Sequence, residues 1–225
     1  HTRYQCDWSS DVCSSDLADA LVSPPVATGM AVASLAVGAY SIFRIKKENK
    51  PENIPVMGVM GAFVFATQMV NFTIPGTGSS GHLCGGLLLS ALIGPYGGFL
   101  SMMAILLLQC LLFADGGLMA YGCNVWNMAF YACFFGYFCI YKPILSKNPS
   151  KKKILIASIL GSVLSLQLGA FSVTLETLIS GVTELPFLTF LSFMQPIHLA
   201  IGFVEGLITS AVLIFVYNTR PRSEE

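Results

Sequence analysis

The chain consists of long apolar stretches separated by short polar segments. A membrane-spanning helix needs about 20 mostly apolar residues, and several stretches approach this length. The Gly-Pro-Tyr-Gly-Gly segment that begins at Gly94 divides one apolar region into two helices, because glycine and proline end helices there. The pattern predicts an all-α membrane fold, a polytopic bundle of about seven transmembrane helices. The predicted helices lie at about Pro25–Phe43, Pro55–Phe72, Leu83–Tyr96, Gly97–Ala114, Asn124–Tyr141, Ile154–Val173 and Phe187–Tyr217.

The composition supports a membrane protein, since 54% of the residues are hydrophobic and only 11% are charged. Soluble proteins carry about 25% charged residues, so the lipid bilayer must solvate much of this chain. The formal net charge of zero gives no basis for nucleic-acid binding. None of the seven cysteines forms a CxxC pair, which argues against a zinc site or a disulfide framework.

The basic residues fall into three clusters, and their placement predicts the orientation. With seven spans all three clusters lie on one side of the membrane, whereas six or eight spans would divide them. The positive-inside rule then places the C-terminus in the cytoplasm and the native N-terminus outside. The clusters are Arg44, Lys46, Lys47 and Lys50; Lys142, Lys147, Lys151, Lys152 and Lys153; and Arg220 and Arg222.

Residues 1–17 differ from the rest of the chain in being polar, and they lack the apolar segment of a signal peptide. We interpret residues 1–17 as a non-native leader and residues 18–225 as a single transmembrane domain. The chain has no G-x-x-x-x-G-K-[ST] sequence for binding nucleotide phosphates. An ATP-driven motor would therefore be a separate chain.

Several polar residues lie in the segments that this orientation places outside. A run of small residues precedes His82 and permits close backbone approach. Asp115 is followed by two glycines, and Asn124 and Asn127 are three apart on one helix face. Imidazole suits nickel, cobalt, copper and zinc, whereas calcium and magnesium need more oxygen ligands. Structural roles also account for these residues: an interfacial histidine, a turn at Asp115 and hydrogen bonds to neighbouring backbone or helices.

The last predicted helix contains His198 and Glu205, which are two turns apart and share a face. Ionisable groups inside a span are costly and usually face a bundle interior or a cavity. One interpretation is a functional site, and the other is structural hydrogen bonding between helices.

Several segments together resemble the CbiM/NikM family, the substrate-specific membrane components of energy-coupling-factor transporters for cobalt and nickel. The resemblance covers about Ala18 to Tyr217, in order. The segments that carry it are Ala18–Pro24, Gly78–Leu83, Gly94-Pro95 with the downstream Gln109, Phe113–Leu118, Gly122–Met128 and His198–Thr209.

The resemblance implies a seven-helix fold with an outward N-terminus and a transported Co²⁺ or Ni²⁺ ion in nearly planar nitrogen coordination, with no permanently bound cofactor. In the family the ligands are the N-terminal amine, the backbone nitrogen and imidazole of the second residue, and a loop histidine that matches His82. The resemblance also implies supporting roles beyond the metal ligands, while the roles of His198 and Glu205 stay open. The supporting positions are Asp19, Asp115, Asn124 and Asn127.

The chain departs from the family immediately before Ala18. The family pattern there is Met-His-Met or Met-His-Ile, whereas this chain has Ser15, Asp16 and Leu17. The N-terminal Met-His ligands are therefore absent. We expect the chain, as its sequence stands, to bind nickel or cobalt weakly or not at all.

The resemblance implies a non-enzymatic subunit that captures the ion at the outer face of the inner (plasma) membrane of a prokaryotic cell. The implied partners are ATPase subunits, a coupling transmembrane subunit and a small accessory membrane subunit. One alternative is an intramembrane enzyme that uses His198 and Glu205 or Asp115, although no H-E-x-x-H sequence is present. Another is a substrate-binding component for a vitamin, which would not need the His82 segment.

Overall fold

The computed structural model describes residues 17–48, 53–69, 71–74, 79–113, 115–146, 148–182 and 186–219. Apart from a short 3-10 turn at Asp19–Leu21, these residues form seven helices in the predicted order, together with two short strands. The helices are α1 Pro24–Glu48, α2 Asn53–Gln68, α3 Gly86–Ile93, α4 Pro95–Phe113, α5 Tyr121–Leu145, α6 Lys151–Ser180 and α7 Phe187–Thr219, and the strands are β1 Asn71–Ile74 and β2 Ser79–His82. Residues 1–16 of the predicted leader lie outside the described residues.

Five of the helices, α1, α4, α5, α6 and α7, are long and apolar enough to cross a bilayer. Helix α2 has 16 residues, and α3 has only 8. Eight helical residues extend about 12 Å, which is far less than the roughly 30 Å of a bilayer's hydrocarbon core. The prediction of a span over Leu83–Tyr96 is therefore wrong. The count of seven spans is not confirmed, and the orientation of the termini stays a prediction.

Two glycines explain why α3 is short. Gly85, immediately before α3, has a φ of 73°, and Gly94, immediately after it, has a φ of 84°. Residues with a side chain rarely adopt these positive φ values, whereas glycine does so readily. Pro95 then begins α4, where its fixed φ suits the first turn of a helix.

The strands β1 and β2 form an antiparallel hairpin in which Asn71 pairs with His82. Helix α2 ends at Gln68, so the predicted extension of this helix to Phe72 is wrong. The β-branched Thr73 and Ile74 favour extended backbone, and a Pro-Gly segment follows them. The described residues therefore contain a small sheet that an all-α fold does not include, and His82 is its last residue.

Helices α6 and α7 pack closely along their length. A Cβ atom added to Gly202 would lie 2.8 Å from the Cα atom of Val163, and one added to Gly206 would lie 2.5 Å from the Cα atom of Ile159. Small residues four apart allow two membrane helices to approach in this way. The pairing fixes α7, which carries His198, against α6.

A small apolar cluster surrounds Leu17 and joins the N-terminal segment to α5, α6 and α7. Leu17 is 1% exposed. Leu17 falls within the predicted leader, but in the structure it packs inside the bundle. This packing brings the start of the described chain to the candidate site.

Candidate metal centre

His82 lies where the hairpin ends and the chain turns into α3. It is 6% exposed, and its Nδ1 atom is 2.6 Å from the carbonyl oxygen of Leu83. Because a carbonyl oxygen only accepts, Nδ1 carries the proton in this contact. The lone pair is then on Nε2, the form in which a neutral imidazole binds a metal ion.

His198 has a similar arrangement on α7. Its Nδ1 atom is 2.8 Å from the carbonyl oxygen of Met194, one turn earlier in the helix. The same reasoning places the lone pair of His198 on Nε2. The imidazoles of His82 and His198 are close enough to interact electrostatically.

Both imidazoles line one cavity of about 50 Å³ between the N-terminal segment, the start of α3, and helices α5, α6 and α7. The predicted site residues Asn124 and Asn127 line the same cavity. The structure therefore brings together four of the polar residues that the sequence analysis selected. The other lining residues are Leu17, Cys84, Met128, Ala132, Ser165, Leu166, Gly169, Ala170, Val173 and Met194.

Asn124 binds the backbone of Leu17 through both ends of its amide. The N–H of Leu17 donates to Asn124 Oδ1 at 2.8 Å, and Asn124 Nδ2 donates to the carbonyl oxygen of Leu17 at 3.2 Å. The N–H of Gly117 donates to the same carbonyl oxygen at 3.2 Å. The residue next to the family's metal-binding segment is thus fixed against α5.

Asp19 and Asp115 do not line the cavity. Asp19 accepts a hydrogen bond from the N–H of Ala120 at 2.9 Å, which joins the N-terminal segment to the turn before α5. Asp115 is buried just beyond α4, and its N–H donates to the carbonyl oxygen of Gln109 at 3.1 Å. Both residues therefore contact the structure around the site, and neither reaches the cavity wall.

Asn127 donates from Nδ2 to Glu176 Oε2 at 2.7 Å, and Glu176 is 6% exposed. Sequence reasoning missed Glu176 because it ended the sixth helix at Val173, whereas α6 continues to Ser180. The sequence did contain a signal, because Glu176 is the one acidic residue of this apolar stretch and lies about one turn after Val173. Ionisable residues inside such helices usually mark a functional or interior position.

Glu205 has a different environment from His198, although the two share a face of α7. Glu205 Oε2 accepts from the N–H of Cys84 at 2.6 Å, and Gln68 Nε2 donates to the carbonyl oxygen of Cys84 at 2.5 Å. Both backbone polar groups of Cys84, two residues after His82, are therefore bound by buried side chains. Glu205 supports the His82 segment and does not line the cavity.

The chemistry available in the cavity is that of two imidazoles with amide groups beside them. Across the described ranges, no group of three or more His, Cys, Asp or Glu side chains is arranged to hold a metal ion. His82 and His198 are the lining residues with nitrogen lone pairs that suit borderline divalent ions. Other potential metal ligands on the cavity wall are the sulfur atoms of Cys84, Met128 and Met194.

These features define a multi-helix membrane protein with a small, buried, imidazole-containing site. A family model, CbiM, described as "Cobalt uptake substrate-specific transmembrane region", matches residues 16–223. The chain belongs to the CbiM family.

Named relatives agree with this assignment. A putative fused nickel transport protein NikMN of Archaeoglobus fulgidus is 38% identical over 190 residues, which cover 84% of this chain and 61% of the relative. A probable fused nickel transport protein LarMN of Lactiplantibacillus plantarum is 32% identical over 213 residues, or 90% of this chain and 64% of the relative. The chain thus spans about three fifths of each fused relative. A cobalt transport protein CbiM of Sorangium cellulosum is 31% identical, with 81% of each chain covered.

Two solved structures share the fold. A crystal structure of a truncated transition metal transporter aligns with a TM-score of 0.82 and 28% identity, and covers 90% of this chain and 98% of that chain. A second, of a transition metal transporter, aligns with a TM-score of 0.81 and 30% identity over 90% and 92% of the two chains.

Proposed function

We propose that the chain is the metal-binding membrane subunit of an energy-coupling-factor uptake transporter for cobalt or nickel. The observation that supports this function best is the shared cavity of His82 and His198 beside the anchored Leu17. The transport relatives named above support the same class of function.

The size of the cavity favours an ion over an organic substrate. At about 50 Å³, it has room for an ion or one or two waters, since a water occupies about 30 Å³. Pockets for small organic molecules are about 300–1,000 Å³, so the volume argues against the vitamin alternative. The lining residues include no carboxylate, which disfavours calcium and magnesium.

The geometry around Glu205 argues against the enzyme alternative. An acid–base pair of Glu205 and His198 would require their side chains to face each other. Instead, the carboxylate of Glu205 accepts from the backbone of Cys84, and Nδ1 of His198 contacts Met194. The alternative with Asp115 has no better support, because Asp115 does not line the cavity.

We expect the N-terminal segment to determine the affinity for metal. Asp16 occupies the position where the family resemblance expects a histidine, directly before the anchored Leu17. Isothermal titration with nickel compares this chain with one in which residues 1–17 are replaced by Met-His-Met. Tighter binding by the rebuilt chain is the expected result, and equal affinities would refute the assignment of the missing ligands.

The transport cycle that we propose begins at the outer face, where the ion enters the cavity and exchanges water for imidazole nitrogen. Partner subunits then couple ATP hydrolysis to inward release across the plasma membrane of a prokaryotic cell. We propose a pair of ATPase subunits, a coupling transmembrane subunit and a small accessory membrane subunit as these partners. The absence of a phosphate-binding sequence in the chain supports a separate ATPase.

Metal uptake in cells that also express the cognate ATPase tests the function. In the chain whose residues 1–17 are replaced by Met-His-Met, His82→Ala should abolish most of the nickel or cobalt uptake, because it removes an imidazole from the cavity. Cys139→Ala is the matched control, since Cys139 is an exposed cysteine seven residues beyond Ala132, the last residue of α5 on the cavity. Full uptake by the His82 variant would overturn the assigned site.

A further inference from the structure

Two buried carboxyl groups flank the cavity without lining it. Glu176 on α6 binds Asn127 through Oε2, and Glu205 on α7 binds the N–H of Cys84 through Oε2. The second oxygen of each carboxyl group, Oε1, has no hydrogen-bond partner among the described residues. The hydroxyl of Ser162 lies near Glu205 and the thiol of Cys123 lies near Glu176, but neither forms a hydrogen bond to these oxygens. Each buried carboxyl group therefore has one oxygen that is only weakly compensated, which is costly in an apolar interior.

Each carboxyl group is one residue away from the cavity. Asn127 and Cys84, to which the two groups are bonded, both line it. Glu205 also interacts electrostatically with His82. Glu176 lies three residues after Val173, another lining residue on the same helix. The two carboxyl groups are therefore connected to the cavity wall through different elements, Glu176 through Asn127 on α5 and Glu205 through Cys84 just before α3.

The described basic residues lie far from Glu176 along its own helix. Lys151, Lys152 and Lys153 form the first turn of α6, and 23 residues separate Lys153 from Glu176 by number. At 1.5 Å per residue this is about 35 Å of helix. Arg44, Lys46 and Lys47 lie near the end of α1, and no lysine or arginine is among the residues that line the cavity.

A divalent ion in this cavity needs negative charge nearby. The imidazoles of His82 and His198 are neutral when they bind a metal, so the ligands named above leave the +2 charge uncompensated. Burying a charge without a counter-charge costs far more than burying a compensated one. A bound cation in turn favours the ionised state of carboxyl groups close to it.

We propose that Glu176 and Glu205 supply the two negative charges that balance a divalent cation bound at His82 and His198, and thereby select divalent over monovalent ions. This inference rests on the proposed function, because it assumes that the cavity binds metal. The charge of the pair equals that of Co²⁺ or Ni²⁺ and exceeds that of a monovalent ion. Loss of one carboxylate should therefore weaken binding of a divalent ion more than binding of a monovalent ion.

The test compares binding of Ni²⁺ and Ag⁺, which both accept imidazole nitrogen, by titration calorimetry on the full chain in nanodiscs. The same titrations are run with residues 1–17 replaced by Met-His-Met. Cysteine thiols also bind silver, so each affinity is divided by the affinity of the same chain carrying His82→Ala. Binding to cysteines contributes to both values, and the ratio therefore reports the His82 site. In Glu176→Gln this ratio should fall roughly tenfold or more for nickel. For silver it should fall only by about the square root of that factor, roughly threefold, because the electrostatic energy is proportional to the charge of the ion.

Glu176→Asp keeps the charge and should retain the preference for nickel. Glu48→Gln is the matched control, because it makes the same charge change as Glu176→Gln on an exposed residue of α1. Glu205→Gln should reproduce the effect of Glu176→Gln. Equal weakening of both ions, or no change for either, would overturn the proposal. If His82→Ala affects neither ion in the parent chains, the metal site itself is refuted, and this inference with it.

Discussion

Replacement of Asn124 by alanine removes both hydrogen bonds that fix the backbone of Leu17 to α5. The N–H of Leu17 then loses Asn124 Oδ1, its acceptor at 2.8 Å. The carbonyl oxygen of Leu17 loses the Asn124 amide but keeps the N–H of Gly117 at 3.2 Å. The substitution therefore leaves one buried donor unpaired and one acceptor partly satisfied.

The magnitude follows from these two losses. An unpaired buried donor costs about 1–3 kcal/mol, and loss of an ordinary hydrogen bond costs about 0.5–1.5 kcal/mol. Together they weaken the attachment of the N-terminal segment by about 2–4 kcal/mol. The local opening equilibrium should therefore shift by about 30-fold to 1,000-fold. Because α6 and α7 pack through other contacts, their stability should change little.

Hydrogen exchange followed by mass spectrometry measures this opening directly. Peptides that contain residues 17–22 should exchange faster in Asn124→Ala by the factor above, while peptides from the middle of α6 should keep their protection. Asn218→Ala is the matched control, since it makes the same change at an exposed residue near the end of α7. Unchanged exchange at residues 17–22 would refute the anchoring role, and faster exchange throughout α6 would show a general structural role instead.

Three further substitutions test the packing and the support of the site. Gly206→Leu should destabilise the α6–α7 pair by about 1–3 kcal/mol or more, because the larger side chain overpacks against Ile159. Gly58→Leu is the control and should have no such effect, since a Cβ added there meets nothing within 4 Å. Thermal unfolding in nanodiscs compares the two variants, and equal melting temperatures would contradict the packing. Tyr131→Phe removes the 2.8 Å hydrogen bond to Ser172 between α5 and α6. The free energy of unfolding should fall by about 1 kcal/mol, and a loss several times larger would show that Tyr131 has a role beyond this bond. Gln68→Leu removes the donor to the carbonyl oxygen of Cys84, so hydrogen exchange should become faster in peptides that span β2 and the start of α3. Unchanged exchange in these peptides would show that Gln68 does not stabilise the segment that carries His82.

The order and approximate position of the helices could be predicted from the sequence, because long apolar stretches separated by polar segments are a strong signal. The short α3 could not be predicted, since its ends depend on the positive φ values of Gly85 and Gly94. The hairpin was also missed. Apolar residues continue past Gln68 to Phe72, and composition alone does not show that the backbone becomes extended there.

The candidate site was predictable only in part. His82, Asn124 and Asn127 were selected by sequence pattern and by the family resemblance, and all three line the cavity with His198. The spacing of His198 and Glu205 correctly places them on one face of α7. It could not show that Glu205 binds the backbone of Cys84, which is 121 residues earlier in the chain. Such a contact depends on helix packing that local patterns do not contain.

The most direct test of a metal site in the cavity is anomalous X-ray diffraction at the nickel or cobalt absorption edge. The measurement uses metal-soaked crystals of two proteins. One has residues 1–17 unchanged, and the other, the rebuilt protein, has them replaced by Met-His-Met. We predict an anomalous peak in the rebuilt protein within bonding distance of Nε2 of His82, in the cavity that His198 also lines. A rebuilt protein whose anomalous peaks all lie at other sites would contradict this account.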